Sequence, residues 1–130
     1  MTEHANAALL RKGHEAFSEN DMETLTELIA EDVLWHVAGK GPLSGEYHGR
    51  EAVFGFFNKL GELSDGTMKI DDHDFLGTDE HAVALFKITA TRAGKTLDAN
   101  FCEIVHWRNG QVAEDWGFAY DQYTFDEFWS

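Results

Sequence analysis

Apolar residues in this chain recur first at helical spacing and then, from the middle onward, at every second position. Between about Ala5 and Ser18, the residues Leu10, Gly13, His14 and Phe17 fall on one stripe of a helix. Asn20-Asp21 interrupts it, and Asp21 is a good N-cap for a short second helix whose Leu25, Leu28 and Ile29 point inward. Val33 to Val37 reads as a short strand. The stretch from Gly39 to Gly49, with Gly41, Gly45 and the only proline, Pro42, is expected to be irregular and to border a pocket mouth. Glu51 to Leu60 then places Val53, Phe56, Phe57 and Leu60 on one face of a third helix, with Gly61 as its terminator.

Beyond that point the period is two. Met68 to Phe75, His81 to Thr91, Thr96 to Trp107 and Gln111 to Tyr120 all alternate, with turns at Gly77-Thr78-Asp79, Ala93-Gly94 and Asn109-Gly110. Asn-Gly between two alternating runs is the strongest short-range hairpin signal, because a type I′ turn needs positive φ at both central residues. The aromatic tail from Asp121 to Ser130 is expected to pack back on the body. Helices followed by a meander predict an α+β domain: a half-open cone in which one curved antiparallel sheet wraps around three N-terminal helices. A cavity between the concave sheet and the helices is a usual place for a small-molecule site.

Composition narrows the partners. A chain of 130 residues with 43% hydrophobic content makes one domain, residues 1–130, with room for a real core. With 10 Lys+Arg against 24 Asp+Glu, the net charge of −14 argues against nucleic acid and anionic lipid as partners. No run approaches the roughly 20 apolar residues that span a bilayer, and no signal-like segment opens the chain, so a cytoplasmic location is expected. The single cysteine, Cys102, excludes an internal disulfide and reads as a buried, inert thiol rather than a nucleophile.

Strand parity proposes the lining of the cavity. If Val105 and Trp107 face inward, so do Glu103 and Phe101, while Cys102, Ile104 and His106 face the other way. A Glu103 carboxyl walled by aromatic rings would be poorly solvated, its pKa raised, and it would serve as a neutral donor or poised acid; the alternative is a paired structural acid. Carried onto the last strand, the same alternation puts Trp116 and Phe118 inward and leaves Asp115 outward as a solvated or interface charge. Asp121, at the end of that strand, either reaches the rim as a general base or caps the tail. Trp35 fits the core with Val33 and Val37, whereas His36 falls on the opposite face, as a structural group or as a pH-tuned base. Tyr47 either presents its hydroxyl to a ligand or staples its loop, and Phe57 adds a ring from the third helix.

Four segments carry a family resemblance: Phe17-Ser18-Glu19-Asn20-Asp21-Met22 leading to Leu28-Ile29-Ala30-Glu31-Asp32-Val33-Leu34-Trp35-His36, then Gly45-Glu46-Tyr47-His48-Gly49-Arg50-Glu51-Ala52-Val53, and the closing Arg108-Asn109-Gly110-Gln111-Val112-Ala113-Glu114-Asp115-Trp116. The chain resembles the SnoaL-like, ketosteroid-isomerase-like branch of the nuclear-transport-factor-2-like superfamily over nearly its whole length. The resemblance implies a cone-shaped α+β barrel, commonly a homodimer packed through the sheet. It does not select one activity, because the fold hosts isomerases, polyketide cyclases, dehydratases, epoxide hydrolases and binding proteins. Against the ketosteroid isomerase pattern, the catalytic tyrosine column falls near Gly13 and the general-base column near Val37. Glu103 matches the second acid, so true steroid isomerisation is not expected. SnoaL-like cyclases place their base aspartate after a Trp-containing last strand, where Asp121 is the nearest match.

Metal chemistry finds no support, since Asp71-Asp72-His73-Asp74 and Asp79-Glu80-His81 match no zinc or calcium ligand pattern and read as a solvated acidic edge. Neither a phosphate-binding glycine loop nor a nucleophile elbow is present. Two functions follow from these residues. One is a cofactor-independent lyase, isomerase or cyclase that removes a proton next to a carbonyl of an apolar, polyketide- or terpenoid-like molecule, with Asp121 or His36 as base and Glu103 as oxyanion partner. The other is a small-molecule-binding or scaffold protein with the same cavity and no chemistry.

Overall fold

A computed structural model describes residues 3–130. The elements run α1 (Ala5–Glu19), α2 (Met22–Leu28), β1 (Ile29–Val37), β2 (Gly45–His48), α3 (Arg50–Leu63), β3 (Lys69–Gly77), β4 (His81–Arg92), β5 (Lys95–Arg108), β6 (Gln111–Ala119) and α4 (Gln122–Trp129). The six strands form one unclosed, curved sheet in the order β2-β1-β6-β5-β4-β3. The α+β class and the half-open cone stand as expected. The sheet is mixed rather than wholly antiparallel, because β1 enters beside β6 in parallel.

Local chemistry accounts for the element boundaries. Asp21 caps α2 by accepting from the Thr24 N–H at 3.1 Å, as its side chain and position predict. Asn109 and Gly110 both take positive φ, as the hairpin between β5 and β6 requires, and Ala93-Gly94 repeats the device between β4 and β5. The α3 helix runs through Gly61 and ends at Ser64, whose hydroxyl donates to the Leu60 carbonyl at 2.7 Å. Part of the glycine-rich segment expected to be irregular forms β2, which pairs with β1 at the sheet edge. Arg50, at the start of α3, donates to the Thr26 and Ile29 carbonyls and ties that helix to the end of α2.

The aromatic tail folds back as α4 and closes one end of the cone. Phe125, Phe128 and Trp129 are buried, and Arg92 donates to the Phe128 and Ser130 carbonyls while Lys95 reaches the Glu127 carbonyl. Cations at a helix C-terminus satisfy orphan carbonyls and complement its dipole. No helix among the described residues is long and apolar enough to cross a membrane.

Two β-bulges decide which side chains enter the cone. On β3 the register shifts between Asp72 and Asp74, so that Asp72, opposite Phe86, and Phe75, opposite Ala84, both lie on the concave face. On β6 the register shifts beside Ala113: Val112 opposes Trp107, yet Glu114 opposes His106. That extra residue inverts the alternation along the rest of β6. Phe128→Ala should show how much α4 contributes, because its ring is fully buried: unfolding in urea is expected to lose about 3–5 kcal/mol.

Candidate active site

The bulge in β6 turns Asp115 inward, opposite Val105, and Gly117 opposite Glu103. Trp116 and Phe118, predicted inward, instead lie on the outer face, where Phe118 is 42% exposed, while Asp115 is only 1% exposed. Asp115 is thus not an outward charge. The alternation rule holds only within an uninterrupted ladder, and one inserted residue reverses it.

Inside the cone, four polar side chains meet in a row. His14, from the apolar stripe of α1, is held at Nδ1 by Asp72 at 2.7 Å and at Nε2 by Glu103 at 2.6 Å. Phe75 and Phe86 meet its ring edge-on, with centroids 5.2 and 4.9 Å away. Glu103 in turn hydrogen-bonds Asp115, and both carboxyls are buried. Asp72 is the solvent-side end of the row and Asp115 the interior end.

This order separates the protonation states. Burial alone would lower the His14 pKa, but the hydrogen bonds and charges of Asp72 and Glu103 outweigh it and push it up to about 9. Burial opposes ionisation of Glu103 too, yet bonds from Asp115 and His14 bring it below the usual glutamate value. Asp115 has no cation of its own. Burial, the Glu103 charge and the shared hydrogen bond all push it well above the usual aspartate range. The neutral acid in the cone is therefore Asp115, and Glu103 is a carboxylate, which corrects the expectation that Glu103 itself has a raised pKa.

The row forms part of the wall of an otherwise apolar cavity of about 140 Å³. Trp35, Phe57, Phe86, Phe101 and Trp107 line it together with His14, Glu103 and Asp115. Trp35 and Phe57 meet edge to face at 5.5 Å, and Phe57 meets Phe17 the same way at 5.0 Å. A second depression, between the start of α2 and the end of α3, shares Phe17, Leu25, Phe57, Leu60 and Met68 with the cavity, so these side chains partition the two. The buried indole N–H of Trp107 donates to no described residue. No group of three or more His, Cys, Asp or Glu among the described residues is disposed to hold a metal ion.

The profile of the SnoaL-like domain family matches residues 10–115. The chain belongs to this family. An uncharacterized protein of Mycobacterium tuberculosis, Rv0034, is 32% identical to it over 131 residues and is matched along 100% of both chains. Bal32a, from a soil-derived mobile gene cassette, is 38% identical, with 96% of each chain covered and a TM-score of 0.93. IdmH of Streptomyces antibioticus, provisionally described as a polyketide cyclase, shares the fold at 22% identity and a TM-score of 0.76, covering 93% of this chain and 95% of IdmH.

In this SnoaL-like chain the remaining predicted site residues divide cleanly. Glu103, Trp35, Phe57, Phe101 and Trp107 line the cavity. Asp121 caps α4, accepting from the Thr124 N–H at 3.2 Å, and is fully exposed to solvent. Although β1 passes the cavity at His36, its imidazole turns to the outer face, paired with Glu114 at 2.7 Å and stacked on Trp116. Tyr47 staples its loop by donating to the Leu43 carbonyl at 2.6 Å. Cys102 is half-buried opposite Phe118, with its thiol pushed up by burial and by Glu103.

Sequence reasoning passed over His14, Asp72 and Asp115. A histidine inside an apolar helical stripe was a usable signal, since a buried imidazole needs partners. Asp72 and Asp115 each sit beside a bulge, and no pattern of residue types announced either one. The protonated His14 contributes stability that is complete below its unfolded value of 6.5 and lost as pH rises through about 9. Asp115 has the same sign, because its folded pKa is also raised, whereas Glu103 loses its contribution as pH falls below 4.5. NMR titration of the His14 ring should give a midpoint near 9. Unfolding free energy should fall from about pH 6.5 to 9, and His14→Gln should flatten that slope.

Proposed function

We propose that this protein is a cofactor-independent acid–base catalyst acting next to a carbonyl of an apolar small molecule, as an isomerase, lyase or cyclase would. The observation that carries this reading is a pair of buried, hydrogen-bonded carboxyls, Glu103 and Asp115, at the wall of an apolar cavity, of which Glu103 alone is bonded to His14, so that the pKa of Glu103 is lowered and that of Asp115 raised. Two titratable groups whose surroundings drive their pKa values apart define an acid and a base. The neutral Asp115 donates to the carbonyl oxygen, where negative charge develops, and the Glu103 carboxylate takes the proton from the adjacent carbon. His14, positive and anchored by Asp72, holds Glu103 in place and keeps it ionised.

The proton count closes within the pair. Transfer of the carbon-bound proton to Glu103 and of the Asp115 proton to oxygen yields an enol, and Asp115 then recovers a proton from Glu103. Return of the proton at another carbon gives isomerisation, loss of a β-substituent gives elimination, and attack of the enol carbon on a second carbonyl gives ring closure. A dry site favours each step, because a preorganised donor in low dielectric stabilises the developing oxyanion without reorganising. IdmH, with its cyclase description, supports this reading through a shared fold alone. In this reading Asp121 and His36, at the surface and on the outer face, take no part.

The outer face of the sheet carries the complementary half of the proposal. Ile104 lies opposite Trp116 and Cys102 opposite Phe118, which makes an apolar band through which two copies would pack as a homodimer. Sedimentation velocity checks this: the wild type should sediment as a dimer and Trp116→Glu as a monomer, and a monomeric wild type would refute the assembly.

Chemistry is tested by following exchange of α-protons in apolar ketones dissolved in D₂O by NMR. The protein should accelerate exchange for at least one bound ketone. Asp115→Asn, which keeps its shape but cannot give up a proton, and Glu103→Gln should each reduce the rate about 100-fold or more. Asp121→Ala should leave the exchange unchanged. A bound ketone whose exchange is not accelerated would leave a binding protein of the same fold.

A further inference from the structure

We propose that Gly117 sets the size of molecule this cavity accepts: its missing side chain seats the ring of Phe101 beside the carboxyl pair, and the space that remains takes a single apolar ring with small substituents and excludes fused polycycles. The proposal rests on the reading above only in taking this cavity as the ligand site, and it concerns binding that needs no turnover.

Gly117 lies on the inner face of β6, opposite Glu103 and two residues beyond Asp115. Glycine weakens a strand interior, and the backbone does not call for it here, since Gly117 is not among the glycines of positive φ. The reason for it is a neighbour. A methyl group at this position would stand 2.8 Å from Cζ and 3.0 Å from Cε1 of Phe101. Phe101 itself faces Ala119 across the ladder, so its ring leans along the sheet and its tip rests on Gly117. Phe86 and Phe125, both buried, flank that ring with centroids 5.3 and 5.4 Å away. With the sheet behind it and two rings beside it, Phe101 yields to a side chain at position 117 by moving into the cavity that it lines. Gly117 is therefore a positioning residue, acting on the occupant through Phe101.

The remaining space is small. The cavity measures about 140 Å³. A dry apolar cavity of about 150 Å³ holds one benzene molecule, whereas drug-sized ligands occupy pockets of roughly 300–1,000 Å³. At the far end, Phe17 and Phe57, edge to face at 5.0 Å, stand between the cavity and the second depression and stop a longer molecule from running through. The class of occupant that fits is a one-ring or equally compact apolar carbonyl compound. A body of four fused rings does not fit.

The test uses three saturated ketones of rising size, 4-methylcyclohexanone, 2-decalone and androstan-3-one, with binding measured by calorimetry and saturation-transfer NMR. Apolar transfer alone ranks them with the largest tightest, because every added methylene buries more area, so a reversed order reports the size limit. The wild type should bind 4-methylcyclohexanone, bind 2-decalone more weakly, and leave androstan-3-one unbound. Phe101→Ala should tighten 2-decalone about tenfold and move 4-methylcyclohexanone little. Gly117→Ala should weaken 4-methylcyclohexanone about tenfold, as overpacking of a formed cavity does. In the Phe101→Ala background the same Gly117→Ala change should have almost no effect, a non-additivity that a general loss of stability would not produce. Circular dichroism and urea unfolding confirm that each variant is folded. Affinities of the wild type that rise with ketone size, a Gly117→Ala effect that persists without the Phe101 ring, or no binding of any of the three would overturn the proposal. Ketone α-proton exchange is read separately, so the reversed size order without exchange would remove the catalytic reading and leave the size limit standing.

Discussion

The buried imidazolium of His14, clamped between Asp72 on β3 and Glu103 on β5, is the interaction on which the interior of this protein depends. It binds α1 to the middle and to one edge of the sheet. It also permits a carboxylate to exist in the cone, because an ionised glutamate without a cationic partner would be too poorly solvated to remain charged. Once Glu103 is ionised, a second acid beside it cannot be, so the neutral state of Asp115 is a consequence of His14 two residues along the row. Charge separation inside the cavity thus begins at α1, whose His14 bonds Glu103 directly and reaches Asp115 only through it.

The aromatic cage and the polar row answer to different constraints. Rings from α3, β1 and β5 exclude water and give the cavity its shape, and burial of this kind is tolerant of which large side chain supplies it. The row tolerates far less, since each member sets the protonation of the next and a single truncation leaves a buried charge or an unpaired oxygen. Asp72 differs from the other three in lying partly in solvent, where it can anchor His14 without itself being forced neutral. The outer face of the same sheet carries its own histidine–acid pair, His36 with Glu114, stacked on Trp116 and shut off from the cavity by the strand between.

Membership of the SnoaL-like family is consistent with this arrangement but does not dictate it, because the fold supplies a cone and leaves its lining free. Here the lining is distinguished by an acid that enters through an irregularity. Bulges next to functional positions are a recurrent way to re-aim one side chain without rebuilding a strand. In β6 the bulge delivers Asp115 to the interior and sends Trp116 and Phe118 to the exterior in a single step.

What the amino-acid order determined by itself was the succession of α1, α2, β1, α3 and the four strands β3 to β6, the hairpin turns at Ala93-Gly94 and Asn109-Gly110, the cap at Asp21 and the α+β class, because each follows from local periodicity and backbone preference, whereas β2 and the helical form of α4 do not. The inward set of β5, with Glu103 and Trp107 in it, was legible for the same reason: its alternation is unbroken. The inward set of β6 was not, since an inserted residue at a bulge looks in sequence like any other, and its effect exists only relative to the partner strand. The parallel entry of β1, the meeting of His14 with Asp72 and Glu103 across 58 and 89 residues, and the protonation of Asp115 were all decided by tertiary structure. A pKa depends on which charges and how much water surround a group in space, and no spacing along the chain encodes that.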